Sequence, residues 1–437
     1  MPARAISTRL PFEQQTHAVE RRLLILAGLF LTINTISLSV LRGSLSDWIH
    51  LLVWIGCAVT AHVLLNWRLP GRDPILLPLA MFVAGWGLLV ISRLFPAFAD
   101  RQTVWLIVAT LILLIVGWLR DLLRVMRAFR YTLLFGGLAV LVMTILLGVN
   151  PGDPTGVLGA PTLWIDLGSF YVQPSEALKI ILVVFLASYL AEQYPALRAE
   201  ELDAPRRRFS LSPRIFGPIL LMWTISVVIL VWQRDLGTAI LFFLVFLTLL
   251  YVASGYTPLL LSGALLVIGA GLLAYQLFDV VRLRIDIWWN PWLDADGRAY
   301  QIVQSLMAFA AGGVLGQGIG QGAPLSIPVA HSDFAFAALA EEWGLIGVIV
   351  IVGVQAVFAV RGLRIAISQR SKPFQTLLAV GLSSMIAVQT LLIMGGVLKL
   401  IPLTGVTLPF LSYGGSSLVV SFAITGLLLR LSHGESS

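Results

Sequence analysis

The residues best suited to chemistry gather in four short clusters, each at an edge between polar and apolar sequence. His331, Ser332 and Asp333 close a long polar stretch, Asp279 to Phe336, and abut the apolar run FAFAALAEEWGLIG. A carboxylate beside such a run is costly: at the centre of a span the cost is about 2.5 to 3.5 kcal/mol, less near the interface. Asp333 therefore has two readings. Ser332 or Asp333 caps free N–H groups at the start of a helix, or Asp333 is a general base that takes a proton from a hydroxyl. Glu341 and Glu342 fall about two turns further on, where they either pair internally with a basic residue or take a catalytic part.

The second cluster is Gln233, Arg234 and Asp235 before LGTA, where Asp235 caps the next helix, lines a cavity, or does both. The third is Gln173, Pro174, Ser175 and Glu176, a helix start with Pro at the first turn. Lys179 lies three residues after Glu176, on the same helical face, which predicts an intramembrane ion pair. The fourth is Ser412, Tyr413, Gly414 and Gly415 in IPLTGVTLPFLSYGGSS, a helix-breaking segment. Non-helical backbone at membrane depth persists only where protein buries it or where it lines a wet cavity. The run Gly312, Gly313, Gly316, Gly318, Gly320 lacks both the strand and the lysine of a phosphate loop, so it reads as a flexible or close-packed loop.

The elements that must carry these clusters are membrane helices. Apolar residues make up 58% of the chain and charged residues 12%, and the mean hydropathy is +0.92. That composition excludes an ordinary soluble domain and predicts an all-α, polytopic helix bundle. Twelve apolar windows emerge: 23–41, 49–67, 75–91, 104–119, 131–149, 177–193, 215–233, 237–253, 259–278, 336–360, 375–398 and 417–431. The net charge of +7 comes from Lys and Arg in short loops, a pattern of membrane orientation and not of nucleic-acid binding. The single cysteine, Cys57, excludes disulfides and cysteine-rich metal sites.

The basic residues concentrate in alternate loops: Arg68 and Arg72; Arg120 to Arg130; Arg198 to Arg214; Arg361 to Lys372; and Arg430. That side is expected to be cytoplasmic, with both termini, and 279–336 then forms a large extracytoplasmic loop. The loop from Arg198 to Arg214 is expected to lie against anionic lipid headgroups. Residues 150–176, with Trp164, and the turn at Asp235 open to the same face as Asp333.

Taken together, GAPTLWIDLGSFYVQPSEALK, QRDLGTAIL, AYQIVQSLMAFAAGGVLGQGIGQG, PVAHSDFAFAALAEEWGLIG and PLTGVTLPFLSYGGSS resemble the SEDS family, the FtsW, RodA and SpoVE group. The resemblance runs from about 75 to 432 and implies a ten-helix core. Residues 1–74 then hold a tail and two additional helices, and 433–437 a short tail. It implies a bacterial cytoplasmic-membrane enzyme that joins lipid II, a polyprenyl-diphosphate-linked disaccharide-pentapeptide, into glycan strands. Asp333 becomes the essential acid of the His-Thr-Asp-Phe motif, and a class B penicillin-binding protein the transpeptidase partner. His331, Ser332, Asp235, Trp164, Gln173, Glu176, Lys179, Ser412, Tyr413, Gly414 and Gly415 become the cavity or substrate-binding set.

No organic cofactor is expected, and a divalent cation at the diphosphate is left open. The chain departs from the family pattern at Leu163, where an Arg precedes the Trp, at Val329, where a Glu follows the Pro, and at Arg234, where a Pro precedes the Asp; the Lys often found a few residues upstream is absent too. Arg234, Arg282, Arg284 and Arg298 are the candidates to supply the missing cation. A transporter of lipid-linked precursor and a non-catalytic scaffold stay open as alternatives.

Overall fold

A computed structural model describes residues 12–150, 163–168, 170–203, 224, 228 and 235–433. Among these residues there are fourteen α-helices and one two-stranded hairpin. The helices are α1 Phe12–Arg42, α2 Ser46–Arg68, α3 Leu76–Leu94, α4 Pro96–Trp118, α5 Leu122–Ala128, α6 Arg130–Leu147 and α7 Pro174–Asp203. The second half adds α8 Leu236–Ser254, α9 Pro258–Leu277, α10 Asp279–Trp289, α11 Tyr300–Gly312, α12 Ala335–Ser368, α13 Pro373–Val397 and α14 Gly415–His433. Eleven are long and apolar enough to cross a membrane, so the protein is a multi-pass helical bundle. They correspond to eleven of the twelve apolar windows; the twelfth, 215–233, lies outside the described residues.

Local chemistry sets the boundaries. Helices α4, α7, α9 and α13 open on Pro96, Pro174, Pro258 and Pro373, whose missing N–H is one the first turn leaves unpaired in any case. Helix α4 begins at Pro96, ahead of the expected start at 104, because Asp100, Arg101 and Gln102 are helical. Helix α7 runs to Asp203, so the first part of the stretch expected as a loop from Arg198 is helix. The remainder of that loop lies outside the described residues.

Helices α3, α7, α13 and α14 form the interior, whereas α9 is exposed along most of its length. At one end, Arg361 is ion-paired with Asp73, Ser432 Oγ accepts from the Asp73 N–H at 3.0 Å, and Arg430 donates to the Gly117 carbonyl at 2.9 Å. This basic end lies opposite the clusters singled out above. The expected long loop 279–336 is largely structured, with α10, a 3-10 turn at Pro291–Asp294, and α11.

Candidate active site

The segment after Asp333 does not enter the membrane as one straight helix. Helix α12 is interrupted at Gly344, with φ 62° and ψ −163°, which separates a short first segment, 335–343, from the long span. Only glycine adopts this conformation freely. The break frees backbone groups, and the glycine loop satisfies them. Gln317 and Gly318 N–H donate to the Glu341 and Glu342 carbonyls at 2.9 and 3.0 Å. In return, Leu345 and Ile346 N–H donate to the Gly313 and Val314 carbonyls at 2.9 and 3.3 Å. A Cβ at Gly312 or Gly316 would collide with the α12 backbone, so this is the close-packed loop, not the flexible one.

Side chains lock the same joint. Glu342 Oε1 accepts from Arg93 Nε and from the Gly320 N–H, both at 3.1 Å, which supplies the basic partner expected for this pair. Glu341 instead accepts from the Ala323 N–H at 2.8 Å.

At the other end of the short segment stand His331, Ser332 and Asp333, each half-buried. Helix α12 has no side-chain N-cap bond, so capping does not account for Asp333. The irregular segment 402–414 grips their backbone: Tyr413 N–H donates to the His331 carbonyl at 2.8 Å and Ser412 Oγ to the Ser332 carbonyl at 2.6 Å. That segment is itself held by amide side chains from the bundle. Gln355 Nε2 donates to the Pro409 carbonyl at 3.0 Å, Gln389 Nε2 to the Thr407 carbonyl at 2.8 Å, and Gln102 Oε1 accepts from the Gly414 N–H at 3.3 Å. Its carbonyls thus find donors inside protein, as non-helical backbone at this depth requires. Gly415 permits α14 to start against the Trp105 ring.

One charge on α10 acts on Asp333. Arg284 Nη1 donates to the Thr404 carbonyl at 3.1 Å, and its guanidinium attracts both Asp333 and Asp235. Burial pushes the Asp333 carboxyl above the ordinary carboxylate range, opposed by the Ser332 hydroxyl and by Arg284. Burial raises Asp235 too, against hydrogen bonds from Thr238 and the Lys179 charge. Asp235 caps α8 through the Thr238 N–H at 3.2 Å and accepts from Ser175 Oγ at 3.4 Å.

Lys179 Nζ donates to Glu176 at 2.7 Å and to Gln389 Oε1 at 3.0 Å, the buried pair that the sequence spacing predicts. Gln173 donates its N–H to Ser416 Oγ at 2.9 Å, which joins the start of α7 to that of α14. Trp164 is bridged through its backbone to Val149, ahead of the hairpin formed by β1 Ile165–Asp166 and β2 Tyr171–Val172. Among the described residues, the network that joins Asp235 to Asp333 does not include Trp164.

The aromatic wall consists of Phe95, Phe98 and Tyr413 around His331, with ring centroids 5.2, 4.6 and 5.5 Å away. Burial there lowers the imidazole to about 4, so His331 is neutral at pH 7. Burial raises the Tyr413 hydroxyl above its ordinary value, opposed by the nearby Arg101. Of the four arginines considered for the missing cation, Arg234 lies outside the described residues, Arg282 pairs with Asp279 and Arg298 with Asp294. Of the three that are described, Arg284 is the one whose charge acts on Asp333.

A family described as cell cycle protein, FtsW/RodA/SpoVE, matches residues 81–437. The chain belongs to this family. Among curated relatives, peptidoglycan glycosyltransferase RodA of Mycobacterium tuberculosis is 37% identical over 390 residues, 86% of this chain and 81% of the relative. Probable peptidoglycan glycosyltransferase FtsW of Geobacter metallireducens is 32% identical over 77% of this chain and 84% of the relative.

Solved structures share the fold of the family. A chain from a peptidoglycan synthase complex that coordinates polymerization and crosslinking superposes with a TM-score of 0.68 at 24% identity, over 83% of this chain and 98% of that one. Thermus thermophilus rod shape determining protein RodA does so at 0.60 and 23% identity, over 85% and 99%. The structure adds Gln102, Gln355, Gln389, Arg93 and Arg101 to the residues that sequence reasoning tied to the site. The arginines were visible as charges. The three glutamines carried no signal beyond being polar residues within apolar helices.

Proposed function

We propose that this chain is a peptidoglycan glycosyltransferase that polymerises lipid II at the outer face of the bacterial cytoplasmic membrane. The observation that carries the reading is the placement of Asp333. A carboxylate at the mouth of a short, broken helix follows directly on His331 and Ser332, whose carbonyls Tyr413 and Ser412 hold, and it feels the charge of Arg284. Relatives named peptidoglycan glycosyltransferase support the activity.

In the proposed step, the Asp333 carboxylate takes the proton of the acceptor sugar 4-hydroxyl as that oxygen attacks the donor anomeric carbon. The new C–O bond forms as the bond to the polyprenyl diphosphate breaks, and the diphosphate leaves with the electron pair. A positioned base contributes about 10² to 10⁴ in rate. Arg284 and Arg101 supply positive charge where the diphosphate develops its own negative charge. A divalent cation enters the proposal only as a companion of the diphosphate; among the described residues, no three His, Cys, Asp or Glu side chains cluster to hold one.

The basic end, with Arg72, Arg361 and Arg430, faces the cytoplasm together with both termini. A class B penicillin-binding protein is the proposed partner, a reading supported by the fold shared with a chain of a synthase complex. The deciding experiment is polymerisation of labelled lipid II by the purified protein with such a partner, wild type against Asp333→Ala. Glycan strands from wild type and none from the variant are expected. Equal product from both removes Asp333 as the base, and none from either favours the transporter or scaffold reading.

A further inference from the structure

Helices α1 and α2 precede the residues matched by the family, yet α1 reaches the joint that holds the Asp333 segment, and α2 supports the end of α1 through Asp47. Asn34 on α1 accepts a hydrogen bond from Trp343 Nε1 at 3.3 Å, directly before the break at Gly344. Its amide orientation is fixed. Indole nitrogen only donates, so the Asn34 oxygen must face it, and the Asn34 nitrogen donates to the Phe30 carbonyl at 2.6 Å. The Trp343 ring packs edge-on against Trp86, which in turn meets Phe30 of α1, with centroids 5.5 and 4.8 Å apart.

A second path runs through charge. Arg42, at the end of α1, donates to the Ser92 and Arg93 carbonyls at 2.8 Å each and to Asp47 of α2 at 3.2 Å. Arg93 then holds Glu342 at 3.1 Å and the carbonyls of Gly320 and Gly322 at 3.2 and 3.3 Å. Leu41 lies so close to Gly320 that a Cβ there would come within 2.9 Å of it. Both paths end on the same short segment, 335–343, and on the loop that fills its break.

We propose that the N-terminal helix pair is a brace for the segment that presents Asp333, with Asn34 and Arg42 as positioning residues that act through Trp343 and Arg93. The proposal rests on the function argued above, because it assigns the pair a part in presenting the proposed base. A hydrogen bond within a membrane bundle is worth most where it fixes one arrangement, and an ångström of misplacement far from the chemistry can cost about a hundredfold in rate.

The test compares wild type with Asn34→Leu, Trp343→Phe and the double variant, each in complex with the transpeptidase partner. Turnover of labelled lipid II and amide hydrogen exchange in 335–343 are both measured. Each single variant is expected to lose about tenfold in kcat with KM nearly unchanged, since substrate binding is left intact. Exchange in 335–343 should quicken, and the double variant should be no worse than the more impaired single. Wild-type kcat and exchange in both singles, or losses that multiply in the double variant, overturn the brace. If the wild type itself forms no glycan, the functional reading fails instead, and exchange alone then decides this proposal.

Discussion

Asp333 sits between two opposing influences, and their balance is measurable. Burial disfavours its charge, while the Ser332 hydroxyl and the Arg284 guanidinium favour it, and the net effect is a carboxyl above the ordinary range. A base must be deprotonated to act, so the rate should rise with pH through a limb above the usual carboxylate value of about 3.9. Arg284→Gln removes one of the two groups that favour the charge. The remaining desolvation should raise the Asp333 pKa further, so the acid limb of the kcat profile should move to higher pH. A limb that stays in place, or moves to lower pH, would detach Arg284 from Asp333. His331 should contribute no limb between pH 5 and 8, because burial among Phe95, Phe98 and Tyr413 keeps it neutral there.

At the scale of elements, the site depends on the break in α12. Gly344 has φ 62°, and a Cβ on it would collide with the Gly316 nitrogen and the Val314 carbonyl. Gly344→Ala should therefore cost at least the roughly 1 to 3 kcal/mol of a strained backbone position, and more for the lost interdigitation. A lowered melting temperature in detergent, together with lost polymerisation, is the expected result; an unchanged melting curve would mean the loop accommodates the methyl group. This break shows where sequence reading stops. The apolar run from 336 onward identified a span, but one glycine among Trp343 and Leu345 leaves hydropathy unchanged, so the window reads as a single helix. The Glu176 and Lys179 pair was legible because three-residue spacing on a helix forces proximity, and the Asp235 cap because it immediately precedes LGTA. The partners of Gln102, Gln355 and Gln389 were not legible, since they lie on elements distant in sequence. The hairpin at 165–172 escaped notice because strands of two residues carry no period. Its turn is nonetheless written in Asp166 and Gly168: the Asp166 carboxylate accepts the Gly168 N–H at 2.7 Å, and Gly168 has φ 84°.

For the whole molecule, the decisive property is which end faces outward. The bundle has a basic end, where Arg361 pairs with Asp73 and Arg430 caps the carbonyls at Gly117 and Arg120, and an opposite end with Asp333 and the segment 279–334. In the proposed orientation, which the positive-inside rule favours, Asp333 lies outside, where the lipid-linked sugar would be polymerised. The chain lends itself to a direct check because its one cysteine, Cys57, is buried in α2 and does not compete for a thiol reagent. Leu293 is 84% exposed within the 3-10 turn after α10, and Ser371 is exposed in the turn between α12 and α13. In intact cells, Leu293→Cys should react with a membrane-impermeant maleimide and Ser371→Cys should react only after permeabilisation. The reverse pattern would put Asp333 on the cytoplasmic side and end the reading of an outward polymerase. Reaction of both in intact cells would mean the cells had leaked, which the unlabelled single-cysteine parent and a cytoplasmic marker protein reveal in the same experiment.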